Sequence, residues 1–141
     1  MGERLTGREM SVTVREATRD DRLGVRRVLD AAMLEVRANL GERTDAGDVL
    51  VASEGDDAPV LGALVLLAPD DGAHVDAVAV RRARRGQGVG SALVRAAAER
   101  RGRLTAEFDP SVRPFYESLG FEITPVEGDG DRLRGRYDGA D

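Results

Sequence analysis

One segment limits what this chain can fold into more than any other: VAVRRARRGQGVGSALV, from Val78 to Val94. An apolar strand runs into a turn of arginine and glycine. Helical apolar spacing follows at once, at Val89, Ala92, Leu93, Ala96 and Ala97. Gly86, Gly88 and Gly90 occupy alternate positions. Glycine permits turns that other residues resist, and it lets a ligand approach the backbone closely. A helix start leaves N–H groups without internal partners, and with the helix dipole these favour an anion. Arg81, Arg82, Arg84 and Arg85 add positive charge. A helix cap with solvated arginines is the plain alternative. Capping needs only one glycine, however, so three predict a cradle for a phosphate or pyrophosphate. The third glycine comes too soon for a dinucleotide fingerprint. The triphosphate loop needs a lysine, which this chain lacks.

The remaining elements can be placed around this turn. Residues 1–10 read as a flexible tail, and residues 11–141 as a single domain. SVTVREA, residues 11–17, alternates as a half-buried strand does. Thr18 is a candidate N-cap, with Asp20 and Asp21 in the first turn. Leu23, Val28, Leu29, Ala32 and Val36 then share one helical face, fading near Asn39–Gly41 into a polar link over 42–47. Strands follow at 49–52, 60–67 and 73–80, then a helix over 88–101. A fifth strand at 104–108 leads to a short helix over 111–118, which Gly120 would end. Strands from 121 and from 133 close the chain. The order β-α-β-β-β-α-β-α-β-β predicts an α/β fold with a mixed sheet and helices packed against it.

Composition excludes several classes of function. With Cys 0 and a single histidine there is no disulfide and no thiolate metal site, and no metal is expected. The 141 residues carry 26 acidic against 21 basic side chains, a net charge of -5, and every basic one is arginine. A nucleic-acid binder would more often show a basic surplus; a local arginine cluster in an acidic chain suits a small anionic ligand. Acidity without lysine is also what a high-salt cytoplasm or a GC-rich genome would leave. No stretch approaches the ~18 apolar residues of a membrane span, and MGERLTGREM lacks a signal-peptide core. The expectation is a cytoplasmic protein with no membrane partner.

Arg85-Gly86-Gln87-Gly88-Val89-Gly90 resembles the Q/R-x-x-G-x-G/A motif of the GNAT superfamily of N-acetyltransferases. PFYESLGF, from Pro114 to Phe121, resembles the family's F-Y-x-x-x-G-F segment. Both occur in the family's order, and the element order from residue 12 to 137 matches as well. The resemblance implies a GNAT-like, mostly antiparallel sheet with helices on both faces, splayed between the fourth and fifth strands. It implies acetyl-CoA as donor and CoA as product. The pyrophosphate would meet the amides of Arg85, Gly86, Gln87, Gly88, Val89, Gly90 and Ser91. The pantetheine arm would follow the backbone of Val78, Ala79 and Val80, with Phe115 and Tyr116 beside it.

Acyl transfer to an amine needs a neutral nucleophile held near the thioester, relieved of a proton, and a proton donor for the leaving thiolate. The resemblance makes Tyr116 that donor; packing against Phe115 is the alternative. His74 and Asp76 alternate with Val75 and Ala77, so they share one strand face and are candidate bases, directly or through water. A plain surface position is the alternative for each. Glu54 is a weaker third candidate. Asp109 stands where members often carry Asn, and an ionised carboxylate cannot donate a hydrogen bond.

The resemblance places the acceptor beneath residues 18–47, a length that suits one long helix with a link, or a break near Leu40. A short cover predicts an open site for a small-molecule or peptide amine. Arg26, Arg27, Arg37 and Arg43 could draw an acidic acceptor, or simply be solvated. The last strands could offer an edge to a homodimer. The competing functions are a non-catalytic acyl-CoA sensor and a phosphate- or nucleotide-binding domain sharing only the glycine turn.

Overall fold

A seven-stranded sheet organises the computed structural model, which describes residues 12–31, 40–55, 58–67, 72–128 and 130–138. Its strands are β1 (Thr13–Glu16), β2 (Val49–Ser53), β3 (Val60–Leu67), β4 (Ala73–Val80), β5 (Leu104–Phe108), β6 (Glu122–Pro125) and β7 (Leu133–Tyr137). The helices are α1 (Arg22–Ala31), α2 (Leu40–Asp45), α3 (Val89–Arg101) and α4 (Arg113–Ser118). The spatial order is β1-β2-β3-β4-β5-β7-β6. Neighbours are antiparallel except β4 and β5, which run parallel. A parallel pair needs a crossover, and α3 supplies it. The expected mixed α/β sheet is therefore present. No described helix is long and apolar enough to cross a membrane.

Each face of the sheet carries its own core. On one face α3 and α4 cover Leu50, Leu64, Val75, Leu104, Ala106 and Phe108 through Leu93, Val94, Ala97 and Tyr116. On the other, Val25, Val28 and Leu29 of α1 meet Val51, Val65, Ala77 and Ala79. β3 lies between both layers, so nearly all its residues are buried; β5 alternates buried with half-buried. At Gly62, α3 packs tightly on β3. A Cβ there would sit 2.9 Å from Val89 Cγ1 and 3.0 Å from the Ala79 carbonyl oxygen.

The region between β1 and β2 differs from the sequence expectation. Leu23 is exposed, and Val25 takes its place in the core. A 3-10 turn over Arg19–Asp21 precedes α1, and Val25, Val28 and Leu29 share the buried face of α1 at three- and four-residue spacing. Asp21 fixes that turn: it accepts from the Thr18 backbone N–H at 2.8 Å and from both terminal nitrogens of Arg15 at 2.7 and 3.0 Å. The Arg15 hydrogen bonds foremost hold its carboxyl below the usual range. The stretch read as a polar link is helical, because buried Leu40 and Arg43 anchor α2. Ala32 and Val36 lie outside the described residues, as do the proposed tail and Arg37.

Two irregularities in β4 shape everything near the glycine turn. Val75 pairs with Leu66 and Ala77 with Val65, so Asp76 is an extra, bulged residue. The expected strict alternation fails there. Val75 faces the α3 core, but beyond the bulge Val78 and Val80 do so, while Ala77 and Ala79 face α1. The second irregularity is that β4 pairs with β5 only through Ala73–Leu104, His74–Thr105 and Val75–Ala106. Beyond that point β4 stays with β3, and Glu107 and Phe108 stay with β7. The strands part as the resemblance implied. Gly62→Ala is expected to lower stability by about 1–3 kcal/mol through overpacking, read as a lower urea midpoint at unchanged slope.

Candidate functional site

The turn after β4 is built by short-range bonds. The Arg81 N–H donates to the Leu61 carbonyl at 2.8 Å, and a 3-10 turn covers Arg82–Arg84. Gly86 (φ 78) and Gly88 (φ 91) then adopt left-handed geometry, Gly88 directly before α3. The first bond of α3 runs from Ala92 N–H to Gly88 O at 3.0 Å. Among the described residues, the N–H groups from Gly86 to Ser91 meet no backbone acceptor. Side chains brace the turn: Arg85 Nε donates to Val80 O at 3.1 Å, and Gln87 Nε2 to Ala83 O at 3.3 Å. A Cβ on Gly90 would lie 3.4 Å from Phe115, in ordinary contact with the α4 ring.

These parts bound one open cleft, lined by Val80, Arg84, Arg85, Gly86, Gly88, Val89, Gly90, Ser91 and Phe115. The structure thus gathers most of the expected cradle. Ala79 turns its side chain into the α1 core, leaving only its backbone on the strand. Arg84 is tied to Glu54 at 2.6 Å, which occupies the third candidate base in an ion pair.

Tyr116 sits where β5 ends. Its ring stacks on Phe108 at 4.3 Å with planes 13° apart, and meets Phe115 and Phe121 edge-on at 4.9 and 5.1 Å. It is 5% exposed, and burial pushes its hydroxyl up to about 12. The hydroxyl makes no hydrogen bond among the described residues. Tyr137 packs on Phe121 at 5.4 Å, as a structural residue.

The two candidate bases occupy different positions at the parting of the strands. His74 lies in the paired part, with Nδ1 2.8 Å from Thr105 Oγ1 across to β5. Asp76 is the first β4 residue past it. Its side chain is 10% exposed, with Oδ2 3.9 Å from Arg43 Nη1 and without a hydrogen bond. Arg43 is buried as well and donates to the Leu66 carbonyl at 2.6 Å. It therefore supports the bulge and cannot draw an acceptor from solvent; Arg26 and Arg27 are exposed. Asp109 accepts from the Ser111 N–H at 2.9 Å and caps the turn before α4. That bond holds its carboxyl below the usual range. The sequence reading passed over Glu107, the first β5 residue past the pairing, which bonds Arg134 of β7. Its one signal was a charged residue at the fourth position of an otherwise apolar-alternating strand.

Comparisons with known proteins agree with this geometry. Residues 45–123, more than half of the chain, match the family model described as acetyltransferase (GNAT) domain. The fold resembles a GNAT-family acetyltransferase from Bacillus cereus, at 18% identity and TM-score 0.77, over 92% of this chain and 99% of that one. It also resembles Ard1 from Thermoplasma volcanium, at 20% identity and TM-score 0.75, over 94% and 100%. N-acetylglutamate synthase from Neisseria gonorrhoeae, solved with coenzyme A and L-arginine, aligns at 16% identity and TM-score 0.72, over 94% of this chain and 34% of that one. No curated protein matches by sequence. The chain belongs to the GNAT family of acetyltransferases, enzymes that take their acyl group from an acyl-CoA.

The buried Tyr116 hydroxyl yields a prediction of its own. Unfolded, it titrates near 10; folded, near 12. Between those values the folded state holds more protons, so stability falls as pH rises. Urea unfolding at pH 9 and pH 11 is expected to show a smaller loss in Tyr116→Phe than in the parent chain.

Proposed function

We propose that this acetyltransferase moves the acetyl group of acetyl-CoA to the primary amine of a small molecule or peptide, by direct attack. The carrying observation is the parting of β4 and β5 beside a turn whose N–H groups from Gly86 to Ser91 meet no backbone acceptor among the described residues. Six successive amides and the positive end of α3 suit the pyrophosphate. The free edge of β4 from Val78 to Val80 suits the amide-bearing pantetheine arm. The coenzyme A named with the Neisseria structure supports this choice of donor.

The chemistry then divides between the two faces of the sheet. The amine nitrogen attacks the thioester carbon; a C–N bond forms and the C–S bond breaks. A backbone N–H of β4 near Val80 polarises the carbonyl oxygen. Tyr116, on the α3 face, gives its proton to the leaving sulfur. A hydroxyl that keeps its proton through neutral and mildly alkaline pH remains a donor throughout that range. Asp76, on the α1 face, takes the amine proton through water. His74 ranks below it, because its Nδ1 is engaged with Thr105 inside the paired zone.

Calorimetric titration is the test. Acetyl-CoA is expected to bind in the micromolar range and far more tightly than ATP; failure of the folded protein to bind it would overturn the reading. Tyr116→Phe is expected to bind acetyl-CoA like the parent while kcat falls about 10²-fold, followed by thiol release.

A further inference from the structure

A second recess lies on the α3 face of the sheet, apart from the donor cleft. It is a cavity of about 180 Å3 between α3, the end of α4 and the end of β7. Val94, Ala98, Leu119, Phe121 and Tyr137 form its apolar walls. The Phe121 and Tyr137 rings stand 5.4 Å apart with planes tilted by 30°, so one wall is aromatic. An apolar cavity of about 150 Å3 admits one benzene ring. Volume and walls therefore suit a ring-sized apolar group, for which an aromatic wall offers stacking or edge contacts.

The rim adds one charge of each sign. Arg95 and Glu99 also line the cavity, four residues apart on α3 and both exposed. Residues at that spacing are neighbours on a helix surface. Among the described residues, however, neither forms an ion pair or a hydrogen bond. On α4, in the same order and at the same spacing, Arg113 and Glu117 close on each other at 2.7 Å. Spacing alone thus does not keep the α3 pair open, and both charges remain available beside the cavity. The donor cleft ends at Ser91 and Phe115, about one turn earlier on each helix, and shares no lining residue with this cavity.

We infer that the cavity binds an α-amino acid with an aromatic side chain. The ring enters against Phe121 and Tyr137, the carboxylate meets Arg95, and the ammonium group meets Glu99. One cation, one anion and one apolar recess of ring size are the complement of such a zwitterion. An apolar acid or an apolar amine would leave one of the rim charges unanswered. The inference is independent of the acetyltransferase reading, because nothing that lines the donor cleft takes part.

The test is an NMR titration of the full chain, read at the backbone amides of Arg95, Glu99, Leu119 and Tyr137. L-Phenylalanine is expected to shift them with a Kd of about 1 mM, the scale for so small a ligand. L-Alanine, which lacks the ring, should leave them in place at the same concentrations. 3-Phenylpropionate lacks the ammonium group and phenethylamine the carboxylate; each should bind about fivefold more weakly, the upper scale of one exposed ion pair. Arg95→Gln should weaken L-phenylalanine and 3-phenylpropionate by about that factor and spare phenethylamine. Glu99→Gln should weaken L-phenylalanine and phenethylamine and spare 3-phenylpropionate. Both residues are exposed, so neither substitution disturbs the core. Ala98→Leu, which fills the cavity, should abolish the shifts. Saturating acetyl-CoA should leave the L-phenylalanine Kd within about twofold, as separate sites do. Absence of shifts with L-phenylalanine overturns the inference, as does an equal loss for all three ring ligands in either charge variant. Undiminished shifts in Ala98→Leu overturn it too. So does displacement of L-phenylalanine by acetyl-CoA, which would make the cavity part of the donor cleft.

Discussion

Half of one strand contact is missing, and the site depends on that gap. β4 and β5 share three paired positions and then separate. Backbone groups left bare in a protein interior are costly, so an opening of this kind needs its walls held from behind. Here they are: β3 pairs with β4 up to Val80, and β7 pairs with β5 up to Phe108. The crossover through α3 keeps β4 and β5 adjacent in the sheet while the turn at its start draws the chain away. The bulge at Asp76 falls at the same height and reverses which residues face α3. Past Val75 the β4 edge that faces β5 is therefore left without a strand partner.

The two sides of the gap have different chemistry because the two layers bury different surfaces. On the α3 side, Phe108, Phe115, Tyr116 and Phe121 form an aromatic group around one hydroxyl. Offset and edge contacts of this kind stabilise by about 0.5–1.5 kcal/mol beyond burial, and they fix the Tyr116 ring. On the α1 side the outward residues of β5 and β7 are Thr105, Glu107, Arg134 and Arg136, cross-paired in register. The sheet thus presents an aromatic surface on one side and charged side chains on the other.

The arginines divide into those that hold structure and those that could meet a ligand. Arg15, Arg19, Arg43, Arg84, Arg101, Arg103, Arg113, Arg134 and Arg136 are committed to carboxylates. Arg43 is the most constrained, buried beside Asp76 with its Nη1 on the Leu66 carbonyl. Removing one partner of a buried pair strands the other charge. The α2 turn, the β3 edge and the bulge therefore behave as one unit. Guanidinium geometry suits that task, since one planar group can serve a carbonyl and a carboxylate together.

The sequence by itself determined the order of the strands along the chain, the helix between β4 and β5, and the glycine turn. Those depend on local periodicity and on the left-handed geometry at Gly86 and Gly88, which neighbouring residues encode. It also singled out Tyr116 as a candidate, because an eight-residue motif carries that position. It misjudged Leu23 against Val25, although Val25 lies three and four residues before Val28 and Leu29 on their helical face, and it favoured a link over a second helix near Leu40, since six residues are too few for periodicity to show. Only the tertiary structure decided that Arg43 is buried, that Asp109 is a cap, and that Asp76 is a bulged residue. These outcomes depend on the strand register, on one bulged residue and on where pairing stops. Each is fixed by contacts between segments tens of residues apart, and no local pattern records them.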